Sequence, residues 1–486
     1  MAGADSEVEL ATFPADMKRV ADSSFKFLGT PIGPREYVTA FTQHKRVDKA
    51  SALLRAVTLV EDGQVSHKLL MRCMGSCRVM RAMRTTRPDW IHEQMRQVDA
   101  AIVEALEVCM GLALPRQART QVTLPAALGG LGLRSAELHA ASAYISSRTA
   151  TRRLCCAMDP SFVWEIDDPG NGLAAAIGFC NAVLTDSSAL HASDLENTQG
   201  VSQKELSRRL DTAVREALLE SADPASRARI RATGAAHAGS WLAALPSEGL
   251  DQRFKHPEFV AALRLWLGLP FLSNDCWCPR CDQVLDRLCA HAMACMSGGD
   301  AVRLHNALRD FVYVKSLAAG LAPERERSGL LPDDPRRRPG DIFFELWPGG
   351  QGIAMDFAVT SPLQLDALRA ASQSELAAAT AYEATKFADR DTGQRCRDHG
   401  VRLVPMVAES FGGWGPEAQR AFKVLGRAIS SSTGTPHGTV VAQLYQSLSV
   451  KIMRASARSS LARAADAAVS SFCPAVARAE GEFEAR

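Results

Sequence analysis

D-I-F-F-E-L-W-P-G-G-Q-G-I-A-M-D-F-A-V-T, residues 341–360, reads as two strands folded about a turn. Apolar runs flank W-P-G-G-Q-G, and a proline beside glycines punctuates a hairpin. In the second run Ile353, Met355, Phe357 and Val359 fall on one face, and Ala354, Asp356, Ala358 and Thr360 on the other, because a strand alternates its side chains. One face is bulky; the other is small and surrounds a carboxylate. Pairing Leu346 with Ile353 sets Asp341 opposite Ala358, which makes Asp341 and Asp356 diagonal neighbours on the small face, roughly 7–8 Å apart at the backbone. A one-residue slip would send the two acids to opposite faces. Side by side they repel, and a hard divalent cation, Mg2+, would relieve the conflict and could activate water toward a phosphodiester.

Around this hairpin the pattern reads helix (301–319), strand (321–327), the two strands above, a long helix (365–389) and a strand (401–408), an αβββαβ order. Glu324 and Glu326 on the first strand are further acidic candidates. Lys386 on the long helix is placed to bring an ammonium over a phosphate.

Just upstream, residues 276–295 contain C-W-C-P-R-C and L-C-A-H-A-M-A-C. Cys278 and Cys281 form a C-x2-C pair, and His291 with Cys295 an H-x3-C pair on one side of a helical turn. Four soft ligands at these spacings close a tetrahedral shell for structural Zn2+. Cys276 and Cys289 are near enough to compete, and His305 is a more remote candidate.

The rest of the 486 residues reads as helix. Residues 1–22 are weakly patterned and expected to be flexible. F-K-F-L-G-T-P-I-G, from Phe25, is extended; helical periodicity follows over 37–83 and 90–109. T-L-P-A-A-L-G-G-L-G-L-R-S-A-E (123–137) reads as a tight turn feeding a helix capped by Ser135. Lacking a G-K-[ST] ending, it is not a phosphate loop. Residues 151–270 read as a helical connector without recognisable chemistry, and 431–486 as a linker, a helix with Val441, Leu444, Leu448 and Ile452, and a tail.

The formal charge of +2 hides a basic bias: residues 31–160 carry 18 Lys and Arg against 11 Asp and Glu. That segment could face an anionic polymer. Thirteen scattered cysteines and a start lacking a secretory pattern point to a reducing compartment, nuclear or cytoplasmic. No apolar run approaches the length that spans a bilayer, so no membrane partner is expected.

C-P-R-C with H-A-M-A-C, R-L-H-N-A-L-R-D, R-R-P-G-D with M-D-F-A-V-T-S-P, and V-P-M-V-A-E-S-F-G-G-W-G-P-E-A together resemble the C-terminal half of the polyprotein of non-LTR retrotransposons that carry a restriction-like endonuclease. The resemblance covers roughly 274–428. It implies a mixed fold: a mainly α-helical N-terminal half, a C-C-H-C zinc knuckle (271–300) and an α/β PD-(D/E)XK endonuclease domain (301–430). Asp341 and Asp356 would hold catalytic Mg2+, with Lys386 as a displaced catalytic lysine and Glu324 a further acid. Two departures stand out. Gly340 separates Pro339 from Asp341, and Ala358 occupies the position where the family carries lysine.

Residues 23–150 are similar to the region after the palm of a reverse transcriptase in the same elements, running through its thumb. No aromatic-x-Asp-Asp motif accompanies it; Asp167-Asp168 and Asp333-Asp334 sit before prolines. Polymerisation is therefore not expected. The resemblance implies an endonuclease that nicks target DNA, with RNA a second candidate partner. Arg72, Arg78, Arg81, Arg84, Arg336, Arg337 and Arg338 are the candidate phosphate contacts. The rival expectation is a non-catalytic, zinc-containing nucleic-acid-binding remnant. Oligomeric state stays open.

Overall fold

The structure, a computed structural model, describes residues 23–483 apart from 163, 165, 167–169 and 197–200. The expected flexible segment 1–22 lies outside the described residues. The chain is mostly helical, with a small sheet region. It divides into two compact units, each assembled from separated segments. One takes in residues up to Leu53, Ser76–Ala101 and Ser135–Ser207; the other takes in Leu54–Gly75, Ile102–Arg134 and Arg208–Arg486. The 23–150 stretch expected as one region is thus shared between both, and the 151–270 connector is split at 207.

In the first unit β1 (Phe25–Phe27) and β2 (Thr30–Ile32) pair antiparallel, with Phe27 opposite Thr30. Leu28 and Gly29 between them both have positive φ, 45° and 82°, as a tight primed turn requires. Ser135 caps the Ala136–Met158 helix by accepting the Leu138 N–H at 3.0 Å. Asp99 reinforces that cap, accepting the Ala136 N–H at 2.6 Å, the Glu137 N–H at 3.1 Å and the Ser135 hydroxyl. The continuous helix expected over 37–83 is interrupted. Asp62 accepts the Val65 N–H at 3.0 Å and starts a fresh helix, Gly63–Leu69, because a capping carboxylate satisfies amides that a continuing helix would bond itself.

The second unit contains much of the expected connector as core. Trp241, Phe254, Phe259 and Trp266 are buried and interlock with ring centroids 5.5–5.7 Å apart, each burial contributing about 1.5–3 kcal/mol. The Gly-rich turn packs against this cluster. Gly129 O accepts from Trp266 Nε1 and Gln121 Nε2, each at 2.8 Å, and Gly130 N donates to Pro125 O at 3.1 Å. Its polar backbone is used internally.

A two-stranded ribbon, β3 (Cys276–Trp277) and β4 (Val284–Leu285), precedes the main sheet. The sheet has the order β5 (Pro323–Arg325), β6 (Ile342–Trp347), β7 (Gln351–Thr360), β8 (Val401–Glu409); the first three strands are antiparallel and the last runs parallel to its neighbour. Ile353, Met355 and Phe357 face one side. They pack with Val404 and Met406 against Leu308 and Val312 of the Asp300–Ala318 helix, Phe422 and Leu425 of Pro416–Thr433, and Leu444 and Leu448 of His437–Phe483. Phe343, Ala354 and Leu403 face the other side, against Leu331, Cys396 and Phe387. Helices therefore cover both faces, and the apolar alternation of β7 sorts its residues between them.

Two local expectations are corrected. The 365–389 helix is two helices, Leu365–Ala371 and Ala377–Ala388, with Leu376 between them at φ 58°. Glu409 accepts the Ala379 N–H at 3.2 Å and so begins the second helix anew. The hairpin register also differs. Trp347 pairs with Gln351, Phe344 with Ile353 and Ile342 with Met355, so Glu345 and Leu346 bulge opposite Gly352. The turn is tight because Gly349 and Gly350 take φ of 119° and 87°, which other residues resist. Relative to the Leu346–Ile353 pairing, the ladder near Asp341 is displaced by two residues. An even shift keeps every side chain on its face.

Candidate functional site

The four residues of the spacing pattern converge. Among the described residues, Cys278, Cys281, His291 and Cys295 form the group whose ligand atoms all lie within 4.8 Å of one another. Cys281 Sγ is 3.2 Å from His291 Nε2 and 3.7 Å from Cys295 Sγ. A tetrahedral zinc with bonds near 2.3 Å to sulfur implies ligand edges of about 3.8 Å, so this donor set fits such an ion. The first two cysteines sit in the turn between β3 and β4, closed by Cys278 N donating to Gln283 O at 2.9 Å. Asp286 shapes the other half: Oδ1 accepts from Leu288 N and Ala290 N at 3.0 Å each, and Oδ2 from His291 N at 2.8 Å. All four coordination positions would be protein, a structural arrangement with no place for reacting water.

The competing ligands fall outside the converging group. Cys289 is fully buried in the small core beneath the site, and burial pushes its thiol up to about 12. Cys276 packs against the same core and is also raised by burial. His305 belongs to the carboxylates.

Asp341 ends the loop before β6. Its Oδ2 accepts the Phe357 N–H at 2.7 Å, and its Oδ1 lies 3.2 Å from His305 Nε2 on the Asp300–Ala318 helix. The ladder ends at Ile342–Met355, and Asp341, just before it, donates its backbone N–H to Met355 O at 2.7 Å, so it is not the diagonal ladder neighbour of Asp356 that the Leu346–Ile353 register sets. Asp356 meets Lys386 Nζ, from the Ala377–Ala388 helix, at 3.0 Å through Oδ1 and 2.8 Å through Oδ2. The sheet and two helices thus bring together two acids, one amine and one imidazole.

Their charges are mutually adjusted. Burial works against the Asp341 carboxylate, yet His305 and the Phe357 amide outweigh it and hold its pKa below the ordinary value. The hydrogen bond to Asp341 raises His305. Burial raises Asp356, with Lys386 opposing and Asp341 adding to the rise. Lys386 resists its own burial because Asp356 keeps it charged, above its usual value.

The remaining candidates are dispersed. Glu324 pairs across the ladder with Phe343 and accepts from Arg327 Nη1 at 2.8 Å. Glu326 takes Arg309 at 3.3 Å and also Arg338. Arg337 is a brace more than a surface charge: Nη2 donates to Asp389 Oδ2 at 3.1 Å and to Thr392. Arg336 is exposed. Arg72 belongs to the second unit, while Arg78, Arg81 and Arg84 belong to the first, where Arg84 donates twice to Gln203 Oε1, at 3.0 and 2.7 Å.

Sequence reasoning missed three participants. Sequence distance offers His305 only as a remote zinc candidate, whereas it sits on the Asp300–Ala318 helix that precedes the sheet, against Asp341. Glu409, although inside V-P-M-V-A-E-S-F-G-G-W-G-P-E-A, and Glu383 are not offered as site residues by the sequence. Glu383, one turn before Lys386, accepts the Glu417 N–H at 3.0 Å and so caps the Pro416–Thr433 helix.

No family model matches the chain, and no curated protein matches it either. Among the described residues no helix is long and apolar enough to cross a membrane.

Proposed function

We propose that the chain is a retroelement-derived, metal-dependent DNA endonuclease that nicks its target, similar to the restriction-like endonuclease region of non-LTR retrotransposon polyproteins, and without polymerase activity. The observation that carries this reading is the closeness of Asp341, at the end of the loop before β6 and bonded to the Phe357 amide, to Asp356 of β7, with the helix-borne amine of Lys386 at 2.8 Å from Asp356. Mg2+ held by Asp341 and Asp356 would stabilise charge on the phosphodiester and on attacking water. The chain's own residues do the rest. Lys386, handed from Asp356 to a non-bridging phosphate oxygen, offsets negative charge as water adds to phosphorus and the bond to the leaving oxygen breaks. The Phe357 amide and His305 fix the direction of the Asp341 carboxylate. Exposed Arg336 would hold the phosphate backbone, and the basic 31–160 segment is the other candidate for that contact.

A second reading, a non-catalytic, zinc-containing nucleic-acid-binding remnant, is favoured by one observation. Both acids already have cationic or hydrogen-bonding partners, Asp341 in His305 and Asp356 in Lys386, so the cluster is satisfied without a metal ion. Plasmid nicking in Mg2+ separates the two. Nicking by wild type that is lost in Asp356→Ala and Lys386→Met favours the endonuclease. DNA binding with no nicking by wild type favours the remnant, and nicking unchanged in Asp356→Ala removes the site from the chemistry.

A further inference from the structure

The C-terminal helix, His437–Phe483, lays a polar stripe along the Cys/His site. Ser459 Oγ donates to Ala292 O at 2.8 Å, and Arg280 Nη2 donates to Asp466 Oδ2 at 2.6 Å. Between them Arg463 is 1% exposed. These positions are spaced four and three apart and share one helix face. Ala464 and Ala467 pack on the same small core as the cysteines.

A buried guanidinium needs its donors satisfied and its charge offset. Arg463 Nη1 donates to Asp300 Oδ2 at 2.7 Å and to Ser459, and Nη2 donates to Ser297 O at 2.9 Å. Its buried Nε–H has no acceptor among the described residues. Asp300 is also shared with the exposed Arg303. Cys295 lies on the same carbonyl: Ser297 O, which accepts Arg463 Nη2 at 2.9 Å, is 3.9 Å from Cys295 Sγ. Three thiolates and a neutral imidazole around a divalent ion leave a surplus of one negative charge, and Arg463 is the buried cation beside it.

We propose that Arg463 is a positioning residue for the metal. It donates to the Cys295 thiolate, offsets the surplus charge of the three-thiolate shell and, through Asp300, ties that shell to the start of the helix that carries His305. The proposal rests on the Cys/His metal site and is independent of any nuclease activity. Outer-shell donors of this kind orient ligands, and their loss costs about 10–100-fold in metal affinity.

The test uses the full chain as wild type, Arg463→Met and Arg463→Lys, with zinc affinity read by chelator competition and the sulfur-to-metal charge-transfer band read after Co2+ substitution. Arg463→Met is expected to weaken binding about tenfold or more and to shift the band, with Arg463→Lys recovering part of both. A folded Arg463→Met with wild-type affinity and spectrum overturns the proposal. If that variant does not fold, amide exchange on wild type decides: removing the metal should speed exchange over 459–466 and 300–305 and leave Pro416–Thr433 unchanged, and equal exchange with and without metal overturns it. Wild type that takes up neither ion removes the metal site and this proposal together; metal uptake with no effect of Arg463 removes this proposal alone.

Discussion

Lys386 and Asp356 form a doubly contacted ion pair, 2.8 and 3.0 Å, in which both side chains are about three-quarters shielded from solvent, at 25% and 22% exposure. Removing one partner at such a place leaves the other desolvated and uncompensated, which is worse than removing both. Lys386→Met should therefore destabilise the chain by about 2 kcal/mol, and the Lys386→Met/Asp356→Asn double variant by less than the sum of the singles. Urea unfolding of the four proteins measures the coupling; strictly additive losses would show that the pair holds nothing together.

The neighbouring pair titrates. His305 is raised by Asp341, so its stabilisation is complete below the unfolded histidine value and is lost as pH climbs through the folded one. Asp341 is lowered, against its burial, by His305 and the Phe357 amide, so its stabilisation is present above the unfolded carboxylate value and fails as pH falls through the folded one. Both conditions hold between about pH 4 and 6.5. The stability gap between wild type and His305→Asn is expected to be widest there and to narrow toward pH 9. Thermal unfolding across pH checks it, and a gap that widens on raising pH would contradict the pairing.

Glu409 behaves in the opposite sense. Burial lifts it to about 7, with the Ala379 and Ala378 amides opposing, and its Oε2 has no partner among the described residues. A carboxyl raised on folding binds its proton more tightly in the native state, so stability declines as pH rises from the unfolded value through the folded one. Glu409→Gln should flatten that decline between about pH 4.5 and 7 and be more stable than wild type at pH 8. Equal pH profiles for the two proteins would show that the buried carboxyl is not the cause.

Gly130 has no room for a side chain. A Cβ there would lie 1.9 Å from Leu124 O, a backbone atom that cannot swing aside. Gly130→Ala is expected to cost about 3 kcal/mol or to prevent folding, whereas Gly434→Ala, in open space at φ 69°, should cost about 1 kcal/mol. Similar midpoints in denaturant for the two variants would contradict this reading of the turn.

Much of the candidate site was legible because it is written at short range. Four ligands within eighteen residues can meet only by a local fold, and C-x2-C with H-x3-C states which atoms approach. The faces of β7 followed from alternation, which survives an error of two residues in register. His305 was misassigned for the converse reason. It stands closer in sequence to the cysteines than to Asp341, 36 residues away, and nothing in its own neighbourhood says which the Asp300–Ala318 helix will face. Glu383 and Glu409 were invisible because each caps a helix to which it is not adjacent in the chain.

Residue spacing and strand periodicity were sufficient for the hairpin of β6 and β7, the convergence of the four Cys/His side chains and the two faces of β7. Packing was needed for the Trp347–Gln351 turn, the broken helix before Lys386, the partners of both acids and the burial of Arg463 beside the Cys/His cluster. The division has a physical basis. Periodicity and loop closure act over a few residues and leave a mark in the local pattern, whereas the partner of a buried charge depends on which distant elements share a core.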